Sequence, residues 1–102
     1  MKVIFKPIKN QKKKMMAIFY EKGKDGKLKK KKTTHFGAKG YTDYLISKDK
    51  ERRARYIKRH TNSRENHNNP MSAGSLSRYI LWGDSTSKQS NIRSFKKRFN
   101  LT

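Results

Sequence analysis

The stretch HTNSRENHNNP, residues 60–70, gathers two histidines, a glutamate, an arginine and four asparagines within eleven residues. Three chemistries compete for it. A metal-dependent nuclease would need His60, Glu65 and His67 around one divalent ion, with further carboxylates converging from rigid elements. The chain has seven carboxylates in all, most beside lysines, and the two histidines are separated by loop rather than by the i, i+4 spacing of a helical ligand pair. A base-reading loop would use Arg64, Asn66, Asn68 and Asn69 on base edges. A connector needs no chemistry: Asn, Ser and His are ordinary turn residues, Asn68-Asn69-Pro70 is an ordinary helix entry, and Arg64 and Glu65 can pair with nearby charges. The connector is the favoured reading. No phosphate-binding Gly-rich loop and no nucleophile elbow occurs elsewhere. The sequence therefore predicts no enzyme, no metal, no cofactor and no small-molecule substrate.

The basic residues offer a different chemistry. Lys48, Arg52, Arg55 and Arg59 recur at i, i+4, i+7 and i+11, one face of a helix. Like charges stacked this way cost an isolated helix a few tenths of a kcal/mol per pair, roughly, and a polyanion would offset that cost. Lys29, Lys30, Lys31 and Lys32 form an unbroken run. On an edge strand such a run also guards against aggregation, so a protective role and a phosphate-facing role coexist there. These eight residues are the expected phosphate-facing set.

The elements that must position them follow from pattern. Residues 2–8 and 13–21 read as strands, with Pro7 near an end because it lacks a ladder N–H. Asp25-Gly26 signals a hairpin turn into a third strand over residues 28–36. Residues 41–47, YTDYLIS, are expected to add a fourth short strand after the GAKG turn. Residues 48–60 read as a helix capped by Ser47, with Ala54, Tyr56 and Ile57 inward. A second helix over residues 71–82 begins at Asn69-Pro70, with Ala73, Leu76, Tyr79 and Ile80 on one face and Trp82 at its edge. A third, residues 87–99, turns Ile92, Phe95 and Phe99 inward. The fold class is α+β: an N-terminal antiparallel sheet of three or four strands, then three helices. Residues 1–102 form one domain, lysine-rich over 1–32, with a small core centred on Phe5, Ile18, Leu76, Ile80, Ile92, Phe95 and Phe99.

Composition points the same way. There are 28 Lys and Arg against 7 Asp and Glu, for a net charge of +21, and apolar content is only 31%. Globular chains usually hold about 45–50%. Residues 1–50 carry 16 Lys and no Arg, whereas residues 51–102 carry 8 Arg and 4 Lys. Lysine is a hydrated point charge suited to diffuse attraction, and arginine a planar fork suited to defined contacts. There is no Cys, which excludes disulfides and thiolate zinc sites. No apolar run spans a bilayer and no signal-peptide pattern is present, so neither a membrane partner nor secretion is expected.

The segments HFGAKGYTDY, KERRARYIKRHTNSREN, NPMSAGSLSRYILW and FKKRFN, over about residues 33–100, resemble a family of small basic uncharacterised proteins. Large nucleocytoplasmic DNA viruses of the chlorovirus and mimivirus kinds, and some algae, encode it. That family usually carries a Trp in place of His67 and an Asn-Lys-Pro-like turn in place of Gly83-Asp84-Ser85. The resemblance implies a viral setting, in the virion or in the infected-cell cytoplasm or nucleus, and no established activity. The expected function is non-enzymatic binding of nucleic acid, duplex DNA above all, largely without sequence preference, as genome condensation or packaging would use. The competing reading is a structural virion or minor capsid protein meeting acidic surfaces of capsid proteins.

Overall fold

The computed structural model describes residues 1–8, 12–61 and 67–102, with the side chain of Thr61 left out. Three strands, β1 (Lys2–Pro7), β2 (Lys13–Lys22) and β3 (Leu28–Ala38), form an antiparallel sheet in that order. The β2–β3 turn closes through Gly23 N–H to Lys27 O at 2.9 Å and Gly26 N–H to Gly23 O at 3.0 Å. Asp25 Oδ1 accepts from Lys27 N at 3.1 Å, and Gly26 takes φ +77°, which only glycine adopts freely. Side chains alternate across a strand, so Val3, Met15, Ala17, Phe19 and Phe36 share the helix-facing side and enter one core. The register shifts between Phe19, opposite Lys32, and Tyr20, opposite Lys30. Lys31 is the extra residue of this bulge.

The fourth strand expected over 41–47 is instead a one-turn helix, α1 (Tyr44–Ser47). Tyr, Thr and Ile favour strands, but Asp43 overrides them. Its Oδ1 accepts from Ile46 N at 3.1 Å, and its Oδ2 meets Lys14 Nζ at 2.6 Å while Lys14 also reaches Tyr41 O at 2.6 Å. Asp43 is buried, and an extended chain would strip it of the capping donor. Lys48, at φ 54°, ends α1 by donating its N–H to Tyr44 O.

α2 (Lys50–Thr61) starts two residues later than its charge pattern suggests. Its first N–H groups are taken by Asp49, whose Oδ1 accepts from Glu51 N at 3.0 Å and Arg52 N at 3.2 Å. Ser47, the expected cap, binds Asp49 N before the helix begins. Pro70 likewise lies ahead of its helix: Ser72 caps α3 (Ala73–Leu76) by accepting from Ser75 N at 3.1 Å. α3 runs on as a π turn, Ser77–Leu81, closed by Trp82 N–H to Ser77 O at 2.9 Å. α4 (Lys88–Arg98) is capped by Ser87. It ends in a Schellman motif: Asn100 is left-handed at φ 55°, and Leu101 N–H returns to Lys96 O at 2.8 Å.

Every helix contributes to the same core cluster as the strands. Leu76, Ile80 and Phe95 are fully buried in it, as expected, and so are Ala17, Phe19 and Phe36. Phe5, Ile92 and Phe99 pack at its margin. Phe5 meets Phe36 and Phe95 edge-on, with centroids 6.4 and 6.0 Å apart. Ile18, expected at the centre, is buried but lies outside this cluster, because it occupies the alternate face of β2. Beyond Phe19 the β2–β3 hairpin carries only Tyr20 and Leu28 as large apolar residues, so its tip extends past the core.

Candidate nucleic-acid interface

α2 is anchored on one side and charged on the other. Arg53 is the anchor: its Nε donates to Gly83 O at 2.8 Å and Trp82 O at 3.2 Å, and its Nη2 meets Asp84 Oδ1 at 2.6 Å. Its guanidinium also lies 5.5 Å from the Tyr44 ring centre. Arg78 donates to the same Trp82 carbonyl at 3.2 Å. Burial first, and then Arg53 beside it, hold the Arg78 pKa below the usual arginine value. With Arg53 turned inward, Arg52, Arg55 and Arg59 are left exposed along one wall of a cleft of about 920 Å³.

The other walls come from Lys13 and Lys14 at the start of β2, Gly37 and Ala38 at the end of β3, and the π turn through Ser77 and Leu81. Gly37 has φ +78°, which favours glycine, and a Cβ there would sit 2.7 Å from Leu81 Cδ1, whose methyl would have to shift.

Three rings form the floor. Tyr56 stacks on Trp82 with centroids 4.3 Å apart and planes 7° apart. His60 stacks on Tyr56 at 3.9 Å and 25°, with its Nδ1 2.9 Å from Tyr56 O. Tyr56 and His60 meet because they are one helical turn apart. Trp82 reaches them through the π turn. That turn is held by Asn91, which is buried: its Nδ2 donates to Ile80 O at 2.9 Å and Ser85 O at 2.7 Å, and its Oδ1 accepts from Ser85 N at 3.0 Å. Gly83 completes the exit, since a Cβ there would collide with Tyr79 O and lie 2.6 Å from Asn91 Cγ.

The charge balance of the cleft is one-sided. Asp43 is its only carboxylate among the described lining residues, and Lys14 neutralises it. Lys13, Arg52, Arg55 and Arg59 remain as a cationic set. From Arg52 to Arg59 the helix rises about 10 Å at ~1.5 Å per residue. The stripe therefore offers three guanidinium forks to the phosphates of a strand.

The eight residues expected from sequence fall into separate places. Arg52, Arg55 and Arg59 share the cleft. Lys48 does not line it, being a left-handed residue before α2. Lys29, Lys30, Lys31 and Lys32 sit toward the hairpin tip, where Lys31 pairs with Glu21 at 3.2 Å in an exposed contact. Lys30 is eight residues along β3 from Ala38, or about 27 Å at ~3.4 Å per residue. Lys13, Lys14 and the anchor Arg53 went unrecognised in the sequence, where nothing distinguishes them from their basic neighbours.

In the 60–70 stretch, His60 belongs to the ring stack and His67 lies edge-on to Tyr79 at 6.3 Å. Arg64, Glu65 and Asn66 lie outside the described residues. Among the described residues no three His, Asp or Glu side chains come together as a metal site, and no helix is long and apolar enough to cross a membrane.

Fold and site together define a small α+β protein with an arginine-walled, aromatic-floored cleft. The chain belongs to a family of unknown function (DUF5754), whose model matches residues 3–60. The match takes in all of the sheet but Lys2, including the lysine-rich first third, and nearly all of α2. It overlaps the resemblance expected over residues 33–100 only at 33–60. No curated protein and no solved structure matches the chain.

Proposed function

We propose that the protein binds nucleic acid without catalysing a reaction, gripping the phosphate backbone of duplex DNA largely without regard to sequence. The observation that carries this reading is the convergence of Arg52, Arg55 and Arg59 on one cleft where the single carboxylate among the described lining residues is already paired. Arginine forks suit phosphate oxygens, and each neutralised phosphate releases condensed counterions, which supplies the affinity. Such binding reads no base edges and suits condensation or packaging of a genome. In the viral setting suggested by the resemblance, the protein would act in the virion or in the infected-cell cytoplasm or nucleus.

The test is binding of the purified protein to an unrelated DNA duplex across a salt series. Four cleft cations on four phosphates predict a slope of log affinity against log salt of about −3.6, steeper if the lysine-rich hairpin joins in. Weak binding already at low salt would refute the reading and favour a minor capsid protein seated on acidic protein surfaces.

A further inference from the structure

The sheet has a second face, and among the described residues the helices do not use it. Alternation and register place three rows across it: Lys2, Tyr20 and Lys30; Ile4, Ile18 and Thr33; Lys6, Met16 and His35. None of these nine residues belongs to the core cluster or to the shell packed against it. Ile18 is nevertheless only 6% exposed, so the row neighbours close around it and make a continuous apolar spine, Met16–Ile18–Tyr20, along β2. Tyr20 is half-buried and His35 exposed.

Charge lines both sides of this spine. Lys2 and Lys6 stand on β1, and Lys30 on β3, each in a row with a spine residue. No Asp or Glu is among the nine. Neighbouring strands are about 4.8 Å apart and successive same-face residues about 6.8 Å apart, so the lysines form rails within reach of anything lying on the spine. A second copy of this face would bring lysine rails against lysine rails. An unpaired strand satisfies both parts: its bases have bare π-faces for the tyrosine and imidazole rings, and its phosphates meet the rails. A duplex hides those π-faces.

We propose that this open sheet face binds single-stranded nucleic acid, with a base stacked on Tyr20, a second contact at His35 and phosphates on Lys2, Lys6 and Lys30. This surface is separate from the arginine cleft and does not depend on it.

The test uses the full chain with labelled oligo-dT, labelled oligo-rU and an unrelated duplex at matched salt. Tyr20→Ala should weaken binding of both oligonucleotides about tenfold, the scale of losing one base–aromatic stack. Duplex affinity should hold, and Tyr20→Phe should restore the oligonucleotides. Replacing Lys2, Lys6 and Lys30 together by Gln should reduce the oligonucleotide salt slope by about 2, at ~0.7 per phosphate. The Gln variant reads the same surface should Tyr20→Ala not fold. Oligonucleotide affinity unchanged in both variants would overturn the proposal, as would equal losses for duplex and single strand. Tight binding to anionic vesicles that oligo-dT cannot displace would also overturn it.

Discussion

Replacing Arg52, Arg55 and Arg59 together by Ala separates a built site from general charge. A chain of net charge +21 attracts any polyanion at low salt, so tight binding there does not show a built site. Slope does. If each of the three arginines neutralises one phosphate, the triple variant loses about 2.7 from the slope at ~0.9 per phosphate. Between 50 and 200 mM salt, its affinity then falls about fortyfold less than that of the parent. The control replaces Lys88, Arg93 and Lys97, three exposed cations of α4 that do not line the cleft, and subtracts the same charge. Its slope should hardly change. Fluorescence anisotropy on one labelled duplex measures all three proteins. Stability should stay within about 0.5 kcal/mol, because the replaced side chains are exposed and their mutual repulsion is relieved. An equal slope in both variants, or an unchanged slope in the cleft variant, would refute the assignment of phosphates to the cleft.

Two further substitutions test what positions the cleft. Asp43→Ala removes the α1 cap and leaves Lys14, only 17% exposed, without its carboxylate. Urea denaturation should show a loss of about 3 kcal/mol, and adding Lys14→Met should recover part of it, since the orphaned charge is then gone. Asn91→Leu keeps volume but leaves Ile80 O, Ser85 O and Ser85 N without their partner. The expected cost is about 2–4 kcal/mol, accompanied by a shift in the emission of Trp82, the one tryptophan; unchanged emission and stability would remove Asn91 from its supporting role.

What sequence could show followed from local pattern. Short apolar runs and Asp25-Gly26 placed the first three strands, and the three-and-four spacing of Arg52, Arg55 and Arg59 placed them on one helical face. YTDYLIS misled because its β-favouring residues are visible, whereas Lys14, which fixes Asp43, lies 29 positions away. Ile18 misled because an apolar run such as MMAIFY does not say which alternate residues meet the helices. The ring floor was half legible: Tyr56 and His60 share a helical turn, but Trp82 joins them only through a π turn that Asn91 secures from eleven residues beyond Ile80.

The π turn has a consequence for how this chain tolerates change. A π turn carries one residue more than an α turn over the same span. Adding a second residue between Ser77 and Leu81, beyond the one that the π turn absorbs, would rotate all that follows by about 100°. Trp82 would leave Tyr56, and its carbonyl would leave Arg53. Length in this segment is therefore more constraining than side-chain identity at its outer positions. Relatives that keep the cleft should add no residue between Ser72 and Gly83 even where the residues themselves differ.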